Sequence, residues 1–261
     1  MNAFVRTILR QVIFCLLAGL SSPVLGLECH PEQGCLEHPA NQGQRPALVF
    51  IHGSPGRAGH FARYLEDSAL ADRWDVFALD RPGFGRSPVP FTPDLRVQAQ
   101  QLLKQLPTSQ PLTLAGHSLG GPVALWMAIL APKQVRRVVL LAASLAPEYE
   151  HPRWFNHMAA SAPIRWVLPR SWRRSNREVM ALSTQLQALL QHTPQLHAHL
   201  TIVQGAQDRL VNPASPAVLL DHLPTTLPRE HLVWDHSGHL LPWRDYVRTR
   251  DLLLTIPPET S

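Results

Sequence analysis

The chain has 261 residues, 45% hydrophobic and 16% charged, which suits one large globular domain and excludes a disordered chain. The formal charge is +5 and the pI about 9.6, carried mostly by arginine. No recognisable nucleic-acid module accompanies that charge, so nucleic acid is not an expected partner. The 25 prolines are scattered as loop punctuation, and no internal repeat is present.

The N-terminus differs from the rest. Arg6 and Arg10 precede an unbroken apolar run from Val12 to Leu20, and small residues follow up to Gly26. This is the three-part pattern of a secretory signal, with a cut expected before Leu27. The run is shorter than the roughly 18–20 residues of a membrane span. The expected location is therefore periplasmic or secreted, with an uncleaved membrane anchor as the alternative. Removing the signal takes Cys15 with it and leaves Cys29 and Cys35, an even number able to close a small disulfide loop after export. A metal site built from these cysteines with His30 and His38 lacks any familiar zinc spacing.

From residue 47 onward, short continuous apolar runs alternate with helical patterns. The runs at 47–51, 74–79, 112–115, 138–142, 200–203 and 232–234 read as buried parallel strands. Helical patterns fall at 60–70, 94–106, 121–130, 215–222 and 243–254. Such alternation predicts an α/β fold with a mostly parallel doubly wound sheet, its polar clusters at the carboxyl ends of strands. Residues 27–45 show no convincing strand pair, so a sheet of about six to eight strands is expected, reduced toward six if that edge is irregular. Residues 145–199 are too long for one crossover and read as an inserted helical cap, with helices near 151–161 and 174–192. The cap holds Trp154, Phe155, Trp166, Trp172 and the cluster Arg170, Arg173, Arg174 and Arg177. Most of these aromatics are expected to glue cap to core. Trp154, Phe155, Trp166 and Leu168 also suggest an apolar acyl pocket, and the arginines suit a solvated face or an anionic lipid surface.

The strand ends carry the chemistry. Gly116-His117-Ser118-Leu119-Gly120 lies between an apolar strand and a helix-like run, the setting of a nucleophile elbow. His52-Gly53-Ser54-Pro55-Gly56 closes the first strand of the alternation and Asp80-Arg81-Pro82-Gly83-Phe84-Gly85 the second. Asp208 and the run Asp235-His236-Ser237-Gly238-His239 follow near the C-terminus. In these segments the chain resembles the α/β-hydrolase superfamily over about residues 47–254, with the order serine, acid, histidine.

These readings together give a domain plan of a signal or uncleaved anchor over 1–26, an α/β-hydrolase core over 27–144 and 200–261, and a cap over 145–199. The resemblance implies Ser118 as nucleophile, His239 as its base and Asp208 as the carboxylate that orients the histidine. The backbone N–H groups of Leu119 and Ser54 would receive the oxyanion; Pro55 has no N–H to offer. His236 is a rival base, Asp80 reads as a structural turn, and His52, His117, Arg81 and Arg86 are expected to brace loops. A serine at the elbow argues against chemistry that needs a carboxylate nucleophile. The expected activity is cleavage of an ester or related acyl bond in a small-molecule substrate, with no cofactor and no metal. Other triad chemistry (acyl transfer, amide or C–C cleavage) and a non-catalytic binding protein are the alternatives.

Overall fold

A computed structural model describes residues 25–30, 34–39, 45–106 and 110–257. The expected signal segment therefore lies mostly outside the described residues. Its last two positions open the first strand, so the expected cut before Leu27 falls inside that strand.

Eight strands form one sheet: β1 (Leu25–His30), β2 (Gly34–Pro39), β3 (Ala47–Ile51), β4 (Asp75–Leu79), β5 (Leu112–His117), β6 (Val135–Leu141), β7 (His199–Gly205) and β8 (Arg229–Trp234). Their order is β1-β2-β4-β3-β5-β6-β7-β8. The six strands from β4 to β8 pair in parallel, and the β1–β2 hairpin adds antiparallel to the β4 edge. Every residue of β3, β4 and β5 is buried, which is why these strands are dominated by apolar residues.

The helices are α1 (Ala62–Leu65), α2 (Ser68–Ala71), α3 (Leu95–Leu103), α4 (Gly120–Leu130), α5 (Trp154–Ala160), α6 (Ile164–Val167), α7 (Arg170–His192), α8 (Ser215–His222), α9 (Leu241–Arg244) and α10 (Tyr246–Thr255). They cover both faces of the sheet and divide the core. One cluster packs α3, α4, α7 and α8 against the sheet through Leu102, Leu125, Leu186 and Leu219. The other gathers Phe61, Tyr64, Trp74 and Leu253 on the opposite face. Every residue of α4 except Leu130 is buried, so this helix is apolar all round.

Three expectations need correction. Residues 27–45 contain the β1–β2 hairpin, where no convincing strand pair was expected. An edge hairpin needs no long apolar run, and its sequence mixes Glu28, His30, Glu37 and His38 among apolar residues. The helix expected over 60–70 is instead a 3-10 turn, Ala58–Phe61, followed by α1 and α2, with the Asp67 side chain accepting from the Leu70 N–H to start α2 anew. In the 145–199 insertion, Trp154 and Trp166 are 72% and 67% exposed, so neither glues this segment to the core nor lines an enclosed acyl pocket.

The path of the chain sets the site. From β3 it goes outward to β4, then returns across β3 to β5. Connections leave β3 and β5 in opposite directions, and the crevice at their carboxyl ends is where such sheets bind ligands.

Candidate active site

Ser118 follows β5 directly and sits at φ +54, a left-handed conformation that a side chain seldom adopts. Its N–H donates to the Leu141 carbonyl at 3.1 Å, and its own carbonyl accepts from Gly121 and Ser144, so the strained turn is held from β6 and α4. The glycines of the pentapeptide are there for lack of room. A Cβ on Gly116 would lie 2.6 Å from the Gly120 carbonyl oxygen, and one on Gly120 would collide with the Ile51 carbonyl. The turn can thus press against β3 while the Ser118 hydroxyl stands clear at the start of α4.

The Ser118 hydroxyl lies 3.1 Å from His239 Nε2, and His239 Nδ1 lies 2.9 Å from Asp208 Oδ2. Asp208 follows β7 and His239 follows β8, so three strand ends converge on one chain of hydrogen bonds. The second Asp208 oxygen accepts from the Leu210 and Val211 N–H groups at 2.8 and 3.0 Å, and Gln204 donates to the first at 3.2 Å. Burial alone would raise the Asp208 pKa, but the His239 hydrogen bond, its charge and the two amides outweigh that and hold the carboxyl below its ordinary value. A carboxylate that stays ionised fixes the proton of His239 on Nδ1 and leaves Nε2 free to accept from Ser118.

The loop after β3 faces this serine. A Cβ on Gly53 would come within 2.9 Å of the Ser118 Cβ, so the two turns touch backbone to side chain. Among the described residues neither the Ser54 nor the Leu119 N–H is spent on a backbone carbonyl. Leu119 is the N-cap of α4, where amide groups and the helix dipole favour negative charge.

The model of the family described as the alpha/beta hydrolase fold matches residues 46–199, more than half of the chain. The chain belongs to the α/β-hydrolase family. Curated relatives include an uncharacterised hydrolase, YugF, of Bacillus subtilis, 35% identical over 121 residues, 44% of this chain and 43% of that protein. A pimeloyl-[acyl-carrier protein] methyl ester esterase of Vibrio atlanticus is 36% identical over 124 residues, 48% of this chain and 43% of its own. The chain thus spans less than half the length of these relatives. Among solved structures, a 2-hydroxy-6-oxo-6-phenylhexa-2,4-dienoate hydrolase from Rhodococcus superposes with TM-score 0.66 at 19% identity, covering 88% of this chain and 98% of the other. An enol-lactonase from Burkholderia xenovorans also gives 0.66, at 16% identity, with 88% and 98% covered. These likenesses establish the fold.

Around the three residues this α/β-hydrolase has a second layer. His236 is exposed, whereas His239 is buried, and only His239 meets Ser118. Asp80 ties down its turn: its oxygens accept from the Ala58 and Arg86 N–H groups, each at 2.7 Å. His117 reaches further than a local brace. Its Nε2–H donates to the His239 carbonyl at 2.9 Å, and its ring lies 4.8 Å from the His239 ring. Burial, with the nearby His239, pushes the His117 pKa down to about 3. His52 donates from Nδ1 to the Gly53 carbonyl at 2.7 Å and accepts the Arg81 N–H at Nε2 at 3.1 Å. Its pKa also falls well below the ordinary value through burial and the Arg81 charge, so both rings are neutral braces.

Glu178, on α7, was not foreseen in the sequence. It is fully buried and pairs with Arg81, whose guanidinium donates to Oε1 at 2.7 Å and to Oε2 at 3.2 Å. Gln98 and the Ser54 hydroxyl donate to the same carboxylate at 2.8 and 2.5 Å, and Arg81 also donates to the Gly53 carbonyl at 2.9 Å. A signal was present. Glu178 is the lone acid between Glu150 and Asp208, and it lies one turn before Leu182 and two before Leu186 on the buried face of α7. Glu150, half-buried near the site, was also unforeseen. Burial raises its pKa, while the Ser144 hydroxyl and His239 favour its charged form.

Proposed function

We propose that this α/β-hydrolase is a serine hydrolase that cleaves an ester or related acyl bond of a small-molecule substrate. The observation that carries the reading is the continuous hydrogen-bond chain from the Ser118 hydroxyl through His239 to Asp208, 3.1 and 2.9 Å per step. A serine hydroxyl is a weak nucleophile at neutral pH unless a base takes its proton as it attacks. His239 Nε2 is in reach to do so, and Asp208 stabilises the imidazolium that results. Attack on the acyl carbon forms the Ser118–carbon bond and moves the carbonyl electron pair onto oxygen. The N–H groups of Leu119 and Ser54 receive that charge. His239 then passes its proton to the leaving group, and the carbon–oxygen bond to it breaks. Water activated by the same histidine releases the acid from Ser118 in a second round. These steps call on side chains, amides and water alone.

The likeness to a methyl ester esterase of Vibrio supports acyl-ester cleavage as the reaction class. The N-terminal signal pattern supports export, with catalysis outside the cytoplasm. A fluorophosphonate probe should label the folded wild type at Ser118 and leave Ser118→Ala unlabelled. The same variant should lose hydrolysis of p-nitrophenyl esters by ~10⁴-fold or more. Failure of the folded wild type to label, with Ser118 accessible, would reject the assignment.

A further inference from the structure

Helices α5 and α6 bury none of their residues. Yet they carry large apolar side chains in water: Trp154 is 72% exposed, Trp166 67% and Val167 81%. Met158 stands one helical turn after Trp154, so the two share a face of α5, and Trp154 packs edge-on against Phe155. Two consecutive helices with exposed aromatics and no buried residue form a surface that has a use for another apolar phase.

The charge of this surface narrows what that phase can be. Residues 151–177 hold six arginines and no acid, in a chain whose net charge is +5. The rest of the molecule is therefore close to neutral, and its positive charge is concentrated here. Arg174 and Arg177 lie over the Phe91 ring, and Arg165, Arg170, Arg173 and Arg177 are all exposed. A second copy docking face to face would bring like charge against like. What fits is an apolar medium with an anionic boundary. Tryptophan favours the interfacial layer of a bilayer, and arginine favours lipid phosphates at the same depth. No helix among the described residues is long and apolar enough to cross a membrane, so contact through this face would be in the plane of the surface.

We propose that the α5–α6 face docks on an anionic phospholipid bilayer, with Trp154 and Trp166 entering the interfacial layer and the flanking arginines pairing with headgroup phosphates. Docking there would present the site beneath the insertion to substrate held in, or released from, the membrane.

The test uses the full chain with vesicles of phosphatidylcholine alone and of an equal mixture with phosphatidylglycerol. Wild type should co-sediment about tenfold more strongly with the mixed vesicles, and high salt should weaken that preference. Mixed vesicles should slow hydrogen exchange across residues 154–173. Trp154→Ala with Trp166→Ala, and separately Arg165→Glu with Arg170→Glu, should each abolish that protection. Both should keep p-nitrophenyl butyrate turnover in vesicle-free solution within about twofold of wild type, because these side chains lie at the exposed surface. The exchange readout reports on this face even if the N-terminal segment itself holds the chain to vesicles. Residues 154–173 left unprotected, or protected equally by zwitterionic vesicles or in the variants, would overturn the proposal. So would a dimer that the tryptophan variant dissociates without any change in vesicle binding.

Discussion

Arg81 is fully buried, and a guanidinium there is tolerable because Glu178 faces it with two oxygens and the Gln98 side-chain oxygen and the Gly53 carbonyl accept further N–H groups. The pair also spans two parts of the molecule, since Glu178 belongs to α7 and its other oxygen holds the Ser54 hydroxyl. Removing one partner strands the other charge, so Glu178→Ala should cost about 3–5 kcal/mol, read as a fall in the denaturation midpoint. Replacing both, Arg81→Met with Glu178→Leu, should recover most of that loss. If the double variant is as unstable as the sum of the singles, the two charges are not coupled. Glu178→Gln should lower kcat with little change in KM, because the loop it holds supplies one of the two proposed oxyanion donors. The loss should stay below the ~10²–10³ of deleting a donor outright. Asp208→Asn should be more severe, about 10⁴ in kcat with the fold intact, because the amide supports the wrong histidine tautomer.

At the scale of elements, the β1–β2 hairpin sets Cys29 directly opposite Cys35. Opposed residues of an antiparallel pair have Cα atoms about 4.5–5.5 Å apart, inside the range a disulfide spans. Under the proposed export to an oxidising compartment, both cysteines are predicted to resist thiol alkylation until a reductant is added. Alkylation of either without reductant would count against the bridge. The hairpin also shows where sequence reading stops. Strands β3 to β7 are legible because burial on both faces demands continuous apolar runs; an edge hairpin obeys no such demand and carried no pattern to read. The same limit applies in the insertion. The helix over 174–192 could be read from its leucine stripe, but whether Trp154 and Trp166 faced core, pocket or solvent depends on how α5 and α6 sit, which periodicity does not encode. The strand-end residues Ser118, Asp208 and His239 stood out because the elbow and the order of motifs mark them locally. The Arg81–Glu178 pair joins positions 97 residues apart, and no local pattern marks such a pair.

The molecule as a whole folds around two histidines that must stay neutral. In the unfolded chain a histidine takes up its proton near pH 6.5, whereas His117 in the fold resists protonation down to about 3 and His52 is likewise held well below 6.5. Between those limits the unfolded state binds protons that the native state refuses, so stability falls as pH falls, by up to about 1.4 kcal/mol per pH unit for each ring. Above about pH 6.5 the contribution is complete and stability should level off. Asp208 acts in the same sense further down, its low pKa making its contribution vanish as pH drops through the carboxylate range. Asp80 and Glu150 oppose this, since burial raises their pKa values and lets the native state protonate first. Urea midpoints measured from about pH 7.5 to 5 should therefore decline once below about 6.5, the slope being set by these two rings with a further share from His231, whose pKa burial also lowers. His117→Gln keeps a donor for the His239 carbonyl and removes one of those protons, so its midpoint should fall less steeply over the same interval. An unchanged slope in that variant would mean that His117 accepts a proton within the fold. Its ring would then carry positive charge 4.8 Å from His239, where it would oppose the imidazolium that the proposed mechanism requires.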